Sequence, residues 1–91
     1  MNFLIREANV QDGASIAELV RNSLGSACDG QVVSKNLEAR DRFTYVAEYS
    51  GNVIGFIDAE LYSPVYYFDK HMNITGLAVD KNFRRGGLQG N

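Results

Sequence analysis

Two arginines and two glycines, Arg84-Arg85-Gly86-Gly87, follow a run of strand-forming residues that ends at Val79, separated from it by Asp80-Lys81-Asn82-Phe83. That order can hold an anion. Glycines let several backbone N–H groups converge on one point, and forked guanidinium charge matches phosphate oxygens. Lys81, Arg84 and Arg85 stand here against Asp80 alone, so the positive charge is local to a segment of a chain whose net charge is −2. The segment is neither a Walker P-loop, which needs Gly-Lys-Ser/Thr, nor the Gly-x-Gly-x-x-Gly dinucleotide fingerprint. On the residues alone two readings stand: a phosphate or pyrophosphate site, and a charged C-terminal tail.

Fewer residues offer acid–base or nucleophilic chemistry. Asp58 and Glu60 are two apart on one strand pattern, where each either faces a cleft or is a solvated strand residue. His71 opens the next strand and reads as a base or as an exposed turn residue. Cys28 lies in a Gly/Asp-rich loop with no catalytic partner in sequence reach, which makes it a bystander thiol. Tyr62, Tyr66, Tyr67 and Phe68 cluster in one loop, where they line a pocket or form an interface.

Composition narrows the classes. The 91 residues hold 9 Lys+Arg and 11 Asp+Glu, are 45% apolar and 22% charged, and so describe one small globular domain, residues 1–91. One cysteine forbids an intrachain disulfide, and one histidine with one cysteine cannot assemble a zinc site of the usual ligands. No metal is expected. No run approaches the ~18 apolar residues of a membrane span, and the start, Met1-Asn2-Phe3-Leu4-Ile5-Arg6-Glu7, lacks the form of a secretory leader. Net negative charge argues against a nucleic-acid partner held by phosphate contacts. A cytoplasmic protein with no membrane partner is the expectation.

The elements that must position these residues are legible in outline. Phe3–Glu7 reads as a short strand. Asn9 to Gly13 supplies turn and cap residues, and Ile16, Leu19, Val20 and Leu24 recur at helical spacing until Gly25 stops the helix. Gly25 to Gly30 reads as a loop, and Ser34–Arg40 as a second helix capped by Ser34 with Leu37 as its apolar contact. The period then changes. Phe43–Tyr49 and Val53–Leu61 flank Ser50-Gly51-Asn52, a strong hairpin signal, and Met72–Val79 makes a last strand after the loop at Pro64. In the second hairpin strand, Val53, Ile57, Ala59 and Leu61 fall on one face and Ile54 and Phe56 on the other. In the last strand Met72, Ile74 and Ala78 oppose Leu77 and Val79. Strands apolar on both faces belong to a sheet covered on both, yet only two helices are available. One cover is missing.

The run Ile74-Thr75-Gly76-Leu77-Ala78-Val79-Asp80-Lys81-Asn82-Phe83-Arg84-Arg85-Gly86-Gly87 resembles the acetyl-CoA motif of the GNAT superfamily of N-acetyltransferases. There a central strand ending in Leu-Ala-Val leads to an acidic turn and then to Arg/Gln-x-x-Gly-x-Gly/Ala. The preceding order of strand, two helices and hairpin agrees from Ile5 onward. The resemblance implies an α+β fold with a mixed, mostly antiparallel sheet (β-α-α-β-β-β) of the acyl-CoA N-acyltransferase type, lacking the C-terminal helices and strands. It further implies that backbone groups of Leu77, Ala78 and Val79 pair with the pantetheine arm of acetyl-CoA as an added strand would. The amides from Arg84 through Arg85 and Gly86 to Gly87 would hold the pyrophosphate. A backbone N–H near Leu77 or Val79 would steady the oxyanion as a primary amine attacks the thioester.

Two positions depart from the pattern: Gln89 stands where a small residue is usual, and Thr75 where an acidic residue often serves as base, a role that Asp58 or Glu60 on the neighbouring strand would take over if it faces the cleft. Three functions follow as expectations. The first is acetyl transfer from acetyl-CoA to a primary amine. The second is a truncated remnant that binds CoA or a partner without catalysis. The third is a homodimer that completes the sheet cover.

Overall fold

The computed structural model describes residues 3–39, 41–66 and 68–83. Its elements run β1 (Leu4–Glu7), α1 (Gly13–Leu24), α2 (Gly30–Asn36), β2 (Arg42–Tyr49), β3 (Asn52–Tyr62) and β4 (His71–Val79). The four strands form one sheet in the order β1-β2-β3-β4, antiparallel at every pairing. This is an α+β fold.

Local chemistry accounts for the elements. The Asn9 side chain accepts a hydrogen bond from the Gln11 N–H and the Asn9 N–H donates to the Asp12 carboxylate, a capping box that opens a single 3-10 turn, Val10–Asp12. The turn runs on into α1, which Gly25 ends in the left-handed conformation at φ 70°. Ile16, Ala17 and Leu19 are buried, while Glu18 and Arg21 are exposed. The β2–β3 hairpin turns on Ser50 and Gly51, both at positive φ, as a two-residue turn that leaves Asn52 paired with Tyr49.

Helix α2 lies four residues earlier than its sequence pattern predicts. Its cap is Asp29, which accepts from the Gln31 N–H, and Ser34 sits inside the helix, donating to the Val10 carbonyl at 2.6 Å. Gly30 reads as a breaker in sequence but serves here as a close contact. A Cβ at Gly30 would lie 3.0 Å from Ala14 Cα, and one at Gly13 would lie 2.5 Å from the Gly30 carbonyl oxygen and 2.0 Å from Ser34 Oγ. The two helices cross where neither carries a side chain. Leu37, at the end of α2, keeps its predicted core contact, joined by Val33.

Both helices cover the same face of the sheet. Ile16 and Leu19 pack there on Val46, Phe56 and Ala78, which occupy one register row across β2, β3 and β4. Arg6, in the same row on β1, fastens the start of α1. Its guanidinium takes both Asp12 oxygens at 2.8 Å and its Nε reaches Glu48 at 2.5 Å. Hydrogen bonds from Arg6 hold the Asp12 carboxyl below its ordinary pKa, aided by the Asn9 N–H and opposed by burial.

Two bulges correct the predicted face assignments. Pairing slips by one residue at Ile54 on β3 and again at Thr75 on β4. Each extra residue resets the alternation of side chains. Val53 therefore packs toward the helices with Phe56, while Ile54 opens onto the far face beside Phe3, Ile5, Ala47 and Val79. On β4, Met72 and Ile74 join Leu77 and Val79 on that far face, and Ala78 faces the helices. The far face thus carries the larger apolar side chains. Among the described residues only one corner of it is covered, where Phe83 meets Phe3 and Tyr49 at ring distances of 6.3 and 5.3 Å.

Candidate functional site

β4 is the last strand of the sheet, so one of its edges has no strand partner among the described residues. Leu77, Ala78 and Val79 lie at the C-terminal end of that edge. Ala78 is buried against α1, and Leu77 points out from the opposite face. Ser23 of α1 donates to the Val79 carbonyl at 3.4 Å, which brings the end of α1 against the end of β4. The Asp80 N–H then donates to the Ile54 carbonyl, its side chain accepts from the Asn82 N–H, and its carbonyl from the Phe83 N–H. These bonds close a 3-10 turn, Lys81–Phe83, that carries the chain off the sheet. The predicted pyrophosphate residues Arg84, Arg85, Gly86 and Gly87 come next, and with Gln89 they lie outside the described residues, as do Arg40 and Tyr67.

Two hollows open on the helix side of β4. One, of about 250 Å³, lies at the level of Thr75 and Gly76, between the sheet and both helices. Ile16, Val20, Val33, Leu37 and Phe56 make its walls apolar, and Arg42, Thr44, Asp58 and Thr75 form its polar end. The other, of about 320 Å³, is lined by Leu19, Asn22, Ser23, Asp80, Lys81 and Asn82. The segment Leu77–Val79 runs between them.

Asp58 is the predicted carboxylate that reaches the first hollow. Its Oδ1 accepts from Thr44 Oγ1 at 2.6 Å, and its Oδ2 accepts from Thr75 Oγ1 at 2.6 Å and from Arg42 Nη1. One carboxylate ties β2, β3 and β4 together at the point where β4 bulges. With two donors on Oδ2 and one on Oδ1, it keeps a lone pair for a further donor. Glu60 is half-buried two residues on, opposite Arg42 and Asn73, and does not line the hollow. His71 pairs with Tyr62 at the far end of β4, the two rings 5.7 Å apart, away from both hollows. Cys28 is half-buried in the α1–α2 loop, where its carbonyl accepts from Arg21. Tyr66 and Phe68 of the aromatic loop are exposed and line neither hollow.

Sequence reasoning missed Arg42 and Thr44. Counting back from the Ser50–Gly51 turn without a bulge places Phe43 opposite Asp58; the bulge at Ile54 moves Thr44 there instead. Nothing in the one-dimensional pattern marks that slip.

Comparison with known proteins decides the family. The sequence profile of the acetyltransferase (GNAT) family matches residues 14–88. The chain belongs to the GNAT acetyltransferase family. No curated protein matches its sequence. Among solved structures, a possible acetyltransferase from Clostridium difficile 630 is similar over 99% of this chain and 65% of its own, with a TM-score of 0.72 and 22% identity. Ribosomal-protein-alanine N-acetyltransferase from Brucella melitensis biovar Abortus 2308 matches over 99% and 66%, with a TM-score of 0.77 and 16% identity. AAC(6')-Iy, in complex with the bisubstrate analogue CoA-S-monomethyl-acetylneamine, matches over 99% and 66%, with a TM-score of 0.73 and 23% identity. At these identities the likeness is one of fold. The chain spans slightly less than two thirds of each of these structures.

Among the described residues of this GNAT chain, no cluster of three or more His, Cys, Asp or Glu side chains could hold a metal ion, and no helix is long and apolar enough to cross a membrane.

Proposed function

We propose that this domain binds acetyl-CoA along the outer edge of β4 and supports transfer of its acetyl group to a primary amine. The observation that carries the reading is the place of Leu77-Ala78-Val79 on the last strand of the sheet among the described residues, set between an apolar hollow with a carboxylate at its end and a polar hollow beside the turn that follows β4. An extended pantetheine arm offers amides at strand-like spacing, which the backbone of Leu77, Ala78 and Val79 can meet as it would an added strand. Arg84, Arg85, Gly86 and Gly87 would supply charge and amides for the pyrophosphate. Acetyl-CoA supplies an activated acyl carbon.

The chain's own part is to present the amine. Asp58 has a lone pair free for an N–H of an amine in the first hollow, and the apolar walls take the carbon skeleton behind it. Glu60 takes no part. Transfer forms the C–N bond and breaks the C–S bond. The nitrogen gives up one proton, and the thiolate leaves as the thiol.

One observation favours a second reading, CoA binding without transfer. Asp58 is already engaged by three side chains, and no other carboxylate lines the hollow. The same experiment separates the two. Saturating acetyl-CoA raises the melting temperature by about 10 °C, and Arg84→Ala with Arg85→Ala removes the rise. Thiol release from acetyl-CoA across a panel of primary amines then marks transfer; a thermal shift with no release marks binding alone. A melting temperature indifferent to millimolar acetyl-CoA rejects both.

A further inference from the structure

The hollow between the helices and the sheet suits one kind of amine. Ile16 and Val20 of α1, Val33 and Leu37 at α2, and Phe56 of β3 give it apolar walls, and Arg42, Thr44, Asp58 and Thr75 gather at its polar end. Its volume, about 250 Å³, lies below the ~300–1,000 Å³ of sites for drug-sized ligands. At roughly 30 Å³ for each water-sized group, it has room for about eight carbons. We propose that the acceptor is a primary monoamine with a compact hydrocarbon skeleton of this size, an alkylamine or a phenylalkylamine. The inference rests on the reading of Asp58 as the amine's partner and names the class of amine it receives.

Charge and hydrogen-bond capacity choose that class. Arg42 and Asp58 are the charged residues of the lining and they pair with each other, so the hollow carries no net charge. A polyamine or an aminoglycoside brings several ammonium groups, and beyond Asp58 no carboxylate of the lining meets them. Thr44 occupies Oδ1 of Asp58, and Thr75 and Arg42 share Oδ2, which leaves one acceptor position for one amine. Asn36, exposed on α2, is the only other polar side chain of the lining. The walls offer no side-chain donor or acceptor, so a hydroxyl-rich skeleton gives up its water there and gains no partner. A lysine within a peptide meets the same obstacle, because main-chain amides follow its short stem into the hollow. Hydrocarbon meets none of these costs. Each CH₂ it buries should tighten binding about fourfold.

Methyl chemical shifts of Ile16, Val20, Val33 and Leu37, followed while the 91-residue chain is titrated with single amines, test the proposal without any need for turnover. From ethylamine through butylamine to hexylamine, affinity should rise about fourfold for each added CH₂, and 2-phenylethylamine should bind at least as tightly as hexylamine. Spermidine, kanamycin and a lysine peptide should bind about tenfold more weakly than hexylamine, or not at all. Tighter or equal binding of any of these three overturns the proposal, as does an affinity indifferent to chain length or methyl groups that no amine shifts. Val33→Phe fills the hollow and should abolish binding of 2-phenylethylamine with an unchanged circular dichroism spectrum; undiminished binding overturns the proposal. If that variant does not fold, the chain-length series on the wild type decides. Thiol release from acetyl-CoA is read separately. Amines that shift these methyl groups and release no thiol refute transfer and leave the ligand class standing. Release with spermidine in preference to hexylamine overturns the class and leaves transfer standing.

Discussion

The two faces of this sheet divide the work of the fold. On the covered face the helices pack on Val46, Phe56 and Ala78, with Thr44 and Gly76 lining the hollow beside them and ion pairs from Arg6 and Arg42 at the margins. On the open face stand Ile5, Tyr45, Ile57, Met72, Ile74 and Leu77, with almost no charge between them. The covered face gains specificity from hydrogen bonds that fix where α1, α2 and β4 sit. The open face offers area without direction. A position on the first should answer to mutation through a loss of folding stability, and one on the second should answer far less.

Adjacent residues on β3 make the sharpest contrast. Phe56→Ala removes a buried ring from the centre of the core and should cost about 4 kcal/mol. Ile57→Ala, one residue on and facing the other way, should cost less than about 1 kcal/mol. Urea unfolding of both variants checks the pair, and comparable losses would erase the distinction between the faces.

Asp12→Asn strips the charge from the carboxylate that fastens Arg6 and should cost about 3 kcal/mol at neutral pH. Its folded pKa is depressed. The Asp12 contribution is therefore present above the unfolded value of about 3.9 and is lost as pH falls through the folded one. Stability measured from pH 7 downward should show the gap between wild type and variant closing below about pH 4. A constant gap would mean that Arg6 draws nothing from the charge.

Gly13→Ala places a methyl group against Ser34 and the Gly30 carbonyl, and should cost about 2 kcal/mol by forcing α2 away from α1. The smallest effect is expected from Thr75→Val, which keeps the shape of the bulge residue and removes its bond to Asp58, at about 1 kcal/mol. If the carboxylate latch organises the hollow, that variant should also weaken amine binding while leaving acetyl-CoA binding alone. Calorimetry with each ligand separates the two.

Much of this arrangement is legible in the residues, and the illegible parts share a cause. Ile16, Leu19 and Gly25 announce α1, and the Ser50-Gly51 pair announces the hairpin, because periodicity and turn chemistry are local. Leu77-Ala78-Val79 stands out by its likeness to a known motif. The start of α2 does not, because Gly30 is a helix breaker by propensity and a helix opener by tertiary contact with Ala14. The partners of Asp58 and the true faces of Ile54 and Ile74 depend on two bulges, and a bulge shifts register without changing composition. That both helices among the described residues lie on one face is readable from the helix count; how apolar the other face is becomes visible only once the bulges are placed.

The outer edge of β4, lying between the two faces, carries the proposed function, and amide chemical shifts followed during an acetyl-CoA titration test it most directly. The account predicts saturable shifts at Leu77, Ala78 and Val79 and at the turn Lys81–Phe83, with β1 and the β2–β3 turn unmoved. No shift at millimolar acetyl-CoA, or shifts confined to β1 and α2, would contradict it.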